Sequence, residues 1–257
     1  MIPRVLRGPA VCLALLICVG CSHYVTPGRA ANMKALGGVM PDQTDVSVSH
    51  ALEKHPLATL PTGIAIVRVQ EPGYQSKTAQ GWGSGAYSVV TTRDIENMDA
   101  AIAKISKLQM ISGIAPVNRL LLPQQFNSDL ELRQAAAAMH CDMLLIYTLD
   151  TTFTVEDPAL PLSVITLGLS PNEMAHVACT ASAVLMDTRN GYVYGVAEAT
   201  EKQNQLASAW TSEAAVDQTR KRTEAKAFEK LTTEIQGTWA GVVKQMASQP
   251  SARSEPQ

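Results

Sequence analysis

Asp142-Met-Leu-Leu-Ile-Tyr-Thr-Leu-Asp150 is the stretch that decides the fold. It is apolar at nearly every inner position, which is typical of a strand buried on both faces, and the strand continues to about Val155 with one polar face. A second strand is predicted over residues 176–186 and a third over residues 192–199. The turn between them, Asp187-Thr-Arg-Asn-Gly191, indicates a hairpin because Asn and Gly tolerate the positive φ of a tight turn.

The spacing of apolar residues predicts the elements that precede this hairpin. Ile64-Ala-Ile-Val-Arg-Val69 predicts a first strand. Residues 91–108 predict an amphipathic helix that begins at a capping box formed by Thr91 and Asp94. The segment that follows this helix contains Pro116, so it is limited to an edge strand or an irregular structure.

Two further helices complete the pattern. A second capping box, Ser128-Asp-Leu-Glu131, starts a short Ala-rich helix that runs to about His140. Residues 212–246 predict one long helix whose apolar side chains form a single stripe, as in a helix packed on a sheet. The stripe consists of Phe228, Leu231, Ile235, Trp239, Val242 and Met246. The cluster Arg220-Lys-Arg222 lies among acidic residues of the same helix and is interpreted as part of its solvated face.

This order of elements predicts an α/β fold of the α+β type. We expect a mixed, mainly antiparallel sheet of about five strands, packed by two shorter helices and one long C-terminal helix. The chain has 257 residues, of which 46% are hydrophobic and 17% charged, which suits one domain with a real core. That domain is predicted to span residues 61–247, and the polar residues 248–257 are predicted to form a disordered tail.

The first twenty residues have the anatomy of a signal peptide. Two arginines are followed by the apolar run of residues 10–19, which is too short for a membrane-spanning helix. The run ends in Cys18-Val-Gly-Cys21, which resembles the bacterial lipobox except that Cys18 stands where Leu is usual. By that resemblance the chain is cleaved between Gly20 and Cys21, and Cys21 carries the lipid. An ordinary secretory leader cleaved nearby is the alternative.

The residues after the leader predict how the domain is anchored. Residues 21–60 contain scattered Gly, Pro and short polar runs, which indicates a tether between the lipid and the domain, with a short helix near residues 46–54. Ser22 follows Cys21, rather than the Asp that retains many lipoproteins at the inner membrane. The predicted location is therefore the cell envelope, with the lipid in the outer membrane and the domain facing the periplasm.

Two cysteines remain in the domain, Cys141 and Cys179. If the strands pair as a hairpin, these residues lie near opposite ends of the ladder, far beyond disulfide reach at about 3.3 Å per residue. We therefore predict two buried free thiols. The pairs His140-Cys141 and His176-x-x-Cys179 are kept apart by the same ladder, so no zinc site and no other metal site is expected.

The sequence gives no sign of catalytic chemistry. Gln80-Gly-Trp-Gly-Ser-Gly-Ala-Tyr87 is rich in glycine but fits neither phosphate-binding loop nor nucleophile elbow, so it is interpreted as a flexible connector or a surface that orders on assembly. No Ser/His/Asp or Cys/His set stands out, and we expect a protein that is not an enzyme and has no cofactor. No block of Lys and Arg is present, which argues against a nucleic-acid partner.

The layout behind the lipobox resembles that of a group of envelope proteins: the CsgG periplasmic domain, the TolB amino-terminal domain and the rhombotarget lipoproteins. The resemblance covers residues 62–246. It rests on Asn118-Arg-Leu-Leu-Leu-Pro123, on residues 128–133, on Ala138-Met-His-Cys-Asp-Met-Leu-Leu-Ile-Tyr147 and on Ala183-Val-Leu-Met-Asp-Thr-Arg-Asn-Gly191. It implies a role in export, assembly or recognition without catalytic residues.

One apolar run is a candidate docking segment. It lies between the first two strands of the central sheet, and its apolar residues are Leu160, Leu162, Val164, Ile165, Leu167 and Leu169. We expect it to bind a protein partner or a second copy of the chain. The alternative, suggested by CsgG, is a subunit of an oligomeric export pore. Membrane-spanning strands must come in pairs without an open edge, and the chain has only this one run of suitable length. An enzyme with a site invisible in sequence is the third possibility.

Overall fold

The computed structural model of the chain describes residues 27–31, 45–156, 173–207 and 213–248. The predicted leader, Cys21 and the apolar run 160–169 lie outside these residues, as does the tail beyond Ser248. The described elements are α1 (Asp45–Glu53), β1 (Thr62–Gln70), β2 (Ser84–Gly85), β3 (Ser88–Val90), α2 (Met98–Ser106), β4 (Ile111–Pro116), β5 (Gln125–Phe126), α3 (Leu130–Ala138), β6 (Met143–Glu156), β7 (Glu173–Asp187), β8 (Val193–Ala207) and α4 (Glu213–Ser248).

The main sheet has six strands and is mixed. On one side of β1, β4 pairs in parallel with its first half and β3 antiparallel with its end. On the other side, β6 pairs in parallel with β1, and β7 and β8 continue as an antiparallel meander. The predicted fold class is confirmed, and so is the edge position of the strand that contains Pro116.

Each face of the sheet has its own core. On the first face, alternate residues of β1, β6 and β7 pack against α2 and α4, and the apolar stripe of α4 from Phe228 to Val242 is buried there. On the second face, the intervening residues, such as Leu144 and Ile146, pack against α3 and the irregular segments around Tyr87 and Phe126. Because β6 is covered on both faces, its apolar run is continuous, as the sequence predicted.

Two local predictions are wrong. The first predicted helix begins at Met98 rather than near Thr91, because Asp94 does not cap it but binds the Arg68 guanidinium at 2.8 Å. The glycine-rich segment is not a flexible connector: Ser84 and Gly85 pair with β5. Gly85 has φ +109, and a Cβ there would overlap the carbonyl oxygen of Phe126. The alternating glycines serve this close backbone approach.

Two turns follow the prediction closely. At the start of α3, the Glu131 carboxylate accepts a hydrogen bond from the Ser128 backbone N–H, which is the glutamate half of a capping box. The Ser128 hydroxyl donates to the same carboxylate and accepts from the Leu130 N–H. In the β7–β8 turn, the Asp187 N–H donates to the Tyr192 carbonyl oxygen and Gly191 has φ +69. Both motifs are local in sequence, which is why they can be predicted without knowledge of the tertiary structure.

Parts of the predicted tether contact the domain. The helix predicted near residues 46–54 is present as α1. After it, the backbone N–H groups of Leu57 and Ala58 donate to the buried carboxylate of Asp187 at 2.8 and 2.7 Å, and Ala58 is buried. The chain therefore lies against the β7–β8 turn before it enters β1.

Candidate functional site

The outer half of the β6–β7–β8 meander extends beyond β1. The last pairing of β1 with β6 is Val67 with Ile146, and the side-chain amide of Gln70 then continues the ladder by bonding to both backbone groups of Leu149 at 2.9 Å. Beyond this level β6, β7 and β8 pair only with one another among the described residues. We call residues 150–156, 173–180 and 200–207 the ribbon.

One face of the ribbon is open and polar. Cross-strand hydrogen bonds link side chains of β7 and β8 on this face: Thr180 to Thr200 at 2.9 Å and His176 Nδ1 to Asn204 Oδ1 at 2.9 Å. Nearer the middle of the sheet, the Ser182 hydroxyl donates to Glu198 at 3.0 Å. Such pairs fix the register of two neighbouring strands on a face that no described helix covers.

The outer edge of β8 has no neighbouring strand among the described residues. Its exposed backbone is partly covered by α4, since the Lys230 ammonium donates to the Thr200 carbonyl oxygen at 3.4 Å. Lys230 also forms an ion pair with Glu201 at 2.6 Å. Charged side chains of this kind discourage the pairing of an edge strand with another chain. Val193 and Val196 are exposed large apolar residues of β8.

A buried network of charges fixes α4 beneath the ribbon. The Arg220 guanidinium is fully buried and binds Asp217 at 2.9 Å and Glu224 at 2.8 Å. The other Glu224 oxygen accepts from the Thr151 hydroxyl of β6 at 3.1 Å. The interpretation of Arg220 as part of a solvated face is therefore wrong. It lies on the continuation of the apolar stripe, because residues 220, 224 and 228 share one side of the helix.

The network extends to the end of β1. The Thr78 hydroxyl accepts from Arg220 at 3.1 Å and donates to Asp94 at 3.2 Å, and Asp94 binds Arg68. Burial alone would lower the pKa of Arg68, but the fields of Tyr74 and Asp94 outweigh it and raise the pKa. The pKa of Arg220 is likewise raised, since Glu224 and Asp217 outweigh its burial. Both guanidinium groups are held charged, which is consistent with a structural role.

The N-terminal residues 27–31 lie across the end of the sheet, and we call them the strap. Ala30 bridges Gln70 in an antiparallel manner, and the Glu71 N–H donates to the Arg29 carbonyl oxygen at 3.0 Å. The Ala31 N–H donates to the Thr148 hydroxyl at 3.1 Å, and Ala31 is 6% exposed. A groove of about 330 Å³ separates the strap from β8.

A second groove, of about 540 Å³, lies between α2 and α4. Its charged lining includes Lys104, Arg222 and Glu229. Lys104 and Glu229 form an ion pair at 2.9 Å, and this contact lowers the pKa of Glu229. The exposed Lys104–Glu229 ion pair therefore links α2 to α4 at this groove.

The two cysteines of the domain are free and buried, as predicted. Cys141 precedes β6, whereas Cys179 lies opposite Thr151, so the ladder separates them. Burial raises the pKa of the Cys179 thiol to about 12 and also raises that of Cys141, with Asp142 adding to it. The described residues contain no group of three or more His, Cys, Asp and Glu side chains placed to hold a metal ion.

The predicted site residues fall outside the described part of the chain, but the structure places what flanks them. The apolar run 160–169 belongs to the segment that joins β6 to β7, and the ends of these strands pair at Glu156 and Met174. That segment therefore starts and finishes at the free end of the ribbon. None of the helices in the described ranges is both long and apolar enough to cross a bilayer.

Comparison with known proteins gives only distant structural likenesses. No family model and no curated protein matches the sequence. The lipoprotein GNA1162 from Neisseria meningitidis is 12% identical, with 74% of this chain and 100% of that chain covered at a TM-score of 0.32. Protein XCC0632 from Xanthomonas campestris, of family DUF330, is 12% identical, with 76% of this chain and 91% of that chain covered at a TM-score of 0.32. Protein CT253 from Chlamydia trachomatis is 9% identical, with 70% of this chain and 98% of that chain covered at a TM-score of 0.33. At these TM-scores the likenesses carry no argument about function.

Proposed function

We propose that this protein is a lipid-anchored, non-catalytic binding or assembly module of the bacterial cell envelope. Its lipid is attached at Cys21, and its domain faces the periplasm from the outer membrane. The sequence of the leader supports the anchor, and the resemblance to the CsgG and TolB amino-terminal domains supports a role in assembly or recognition.

The observation that carries the binding role is the presentation of the β6–β7 segment. The ribbon extends about seven residues beyond Gln70, or roughly 23 Å at 3.3 Å per residue, and the apolar run is inserted at its free end. An apolar run on an extended support is suited to docking on a partner surface. We propose that residues 160–171 dock onto a protein of an envelope complex or onto a second copy of the chain.

The buried charge network supports a non-catalytic role. Its carboxylates are occupied by ion pairs and hydrogen bonds within the fold, and its two arginines are held charged by these partners. A general acid or base needs a pKa near the working pH and access to a substrate. These groups are instead used to hold α4 against the sheet.

Site-specific photo-cross-linking tests the docking role. A photoreactive residue at Ile165 is expected to capture a discrete protein in intact cells. The matched control is Leu120, an exposed apolar residue outside the main sheet, which is expected to capture none. Capture of lipid alone, or of nothing, from position 165 would refute the docking role. Large detergent-resistant rings would favour the export-pore alternative instead.

A further inference from the structure

The strap gives the direction in which the chain leaves the domain. Because Ala30 bridges Gln70 in an antiparallel manner, the strap runs from the end of β1 towards the middle of the sheet. Residue 31 lies beside Thr148, whereas Gly28 lies beside Tyr74, beyond the end of β1. The strap therefore begins at the end of the sheet at which β1 finishes.

The ribbon projects from the same end. β1 and β6 run in parallel, so the end of β1 and the free end of the ribbon point in one direction. Gln70 is level with Leu149 of β6, so a strap extended by three residues from the Ala30–Gln70 bridge reaches about the level of Thr152 at Pro27. Four more residues bring β6 to Glu156, a rise of roughly 13 Å. The entering chain and the ribbon thus share one end of the molecule.

The strap also shortens the tether. A tether of residues 21–60 would let the domain move far from the membrane, whereas the strap leaves only five residues, or six Cα-to-Cα steps, between Cys21 and Pro27. A fully extended chain of six residues spans about 20–22 Å. Along the strand direction, the lipidated residue can therefore lie no more than roughly 10 Å beyond the end of β6.

We propose that the domain stands on the bilayer that holds its lipid, with the free end of the ribbon against the phospholipid headgroups and the β7–β8 turn directed away from the membrane. This inference rests on the proposed lipidation of Cys21 but not on the docking of residues 160–171, and it requires a protein that binds those residues to lie at the same membrane surface. The strap, held by backbone hydrogen bonds to β1 and by Thr148, fixes the orientation that a long free tether would leave open.

A cysteine introduced at either of two exposed strand positions tests the orientation. Thr154 lies in the ribbon, and Val193 lies at the start of β8 next to the turn. Since Val193 pairs with Met186, which pairs with Leu144, the two positions differ by ten residues along the strands, or roughly 33 Å. The buried thiols of Cys141 and Cys179 leave the introduced cysteine as the labelled site.

The lipidated full chain is labelled as Thr154→Cys or Val193→Cys and reconstituted into vesicles of phosphatidylethanolamine and phosphatidylglycerol that carry a headgroup energy acceptor. Strong energy transfer is expected from position 154 and weak transfer from position 193. A flexible Gly/Ser insertion of about 30 residues between residues 26 and 27 has a root-mean-square span of roughly 30 Å. It is expected to abolish the difference.

Each other outcome counts against a stated part of the proposal. Equal transfer from both positions in a chain that floats with the vesicles overturns the orientation alone. A difference that survives the insertion overturns the role of the short tether. A chain that does not float with the vesicles overturns the lipidation of Cys21 together with the orientation that rests on it.

Discussion

Replacement of Arg220 by Met tests the claim that the buried charge network holds α4 in place. The guanidinium donates to Asp217 from Nε and Nη2 and to Glu224 from Nη1, and its side chain is fully buried. Met keeps most of the volume but leaves the buried Glu224 carboxylate without its cation, and Asp217 with only Lys221 at 3.3 Å. Removal of one partner from a buried ion pair costs about 3–5 kcal/mol, because the remaining charge is buried without compensation.

We therefore expect Arg220→Met to lower the free energy of unfolding by about 4 kcal/mol. For an m-value near 2.5 kcal/mol/M, this shifts the urea midpoint by about 1.5 M. The assay is urea unfolding of the purified chain, followed by circular dichroism. The matched control is Arg222→Met, which removes an exposed arginine two residues away and is expected to change the free energy by less than about 0.5 kcal/mol.

A double-mutant cycle separates the loss of the ion pair from a general loss of packing. Glu224→Gln is combined with Arg220→Met. The double variant is expected to lose less free energy of unfolding than the sum of the two single losses, by about 1–3 kcal/mol. The reasoning is wrong if Arg220→Met costs less than about 1 kcal/mol, or if the two substitutions are additive within about 0.5 kcal/mol.

Gly85→Ala is expected to lower the free energy of unfolding by about 1–3 kcal/mol, because Gly85 has a positive φ and abuts the Phe126 carbonyl. Thermal unfolding measures this loss, and Gly113→Ala, with open space around it, is the control. Equal losses in the two variants would contradict this explanation. With a pKa of about 12, Cys179 should resist alkylation of the native chain at pH 8, where only on the order of 10⁻⁴ of the thiol is ionised. Because this pKa is raised on folding, stability should fall as the pH rises from about 9 towards 12; rapid native alkylation would refute its burial. Asp187→Ala should raise amide hydrogen exchange in the segment before β1, since the Asp187 carboxylate accepts the N–H groups of Leu57 and Ala58. Asp187→Asn should raise it less. Unchanged exchange in both variants would contradict the contact of this segment with the β7–β8 turn.

The features that the sequence predicts correctly are local. The apolar run that starts at Met143 and the Asn190-Gly191 turn predict the meander, and the stripe of α4 predicts its buried face. In each case neighbouring residues carry the whole signal, either as a periodicity or as a turn preference. The strand and helix types are therefore largely predictable from the residues alone.

The features that the sequence misses depend on distant residues. Arg68 and Asp94 lie 26 positions apart, and Arg220 lies 142 positions from Thr78, so no window of sequence contains the network. A weak signal was present, because Arg68 is the one charge inside an apolar strand and Arg220 continues the stripe of α4. Two unmatched charges at buried positions indicate that they need partners. The partners themselves require the tertiary structure.

The strap is the second such feature. Residues 27–31 are Pro-Gly-Arg-Ala-Ala, a composition typical of a linker, and they dock mainly through backbone groups, with Ala31 as their one side chain in the second core. Backbone hydrogen bonds leave no trace in the amino-acid pattern. The segment is therefore predicted as free tether, although its docking leaves only five residues between Cys21 and the described part of the chain.

Lipidation of Cys21 underlies both proposals, and a comparison of the wild-type chain with Cys21→Ser tests it. The full chain with its leader and the Cys21→Ser variant are expressed in the same diderm bacterium, fractionated, and analysed for the mass of the mature amino terminus. We expect the wild-type chain in the membrane with a diacylglyceryl and acyl modification on Cys21, and Cys21→Ser soluble in the periplasm. An unmodified Cys21, or a Cys21→Ser variant that remains in the membrane, would contradict it.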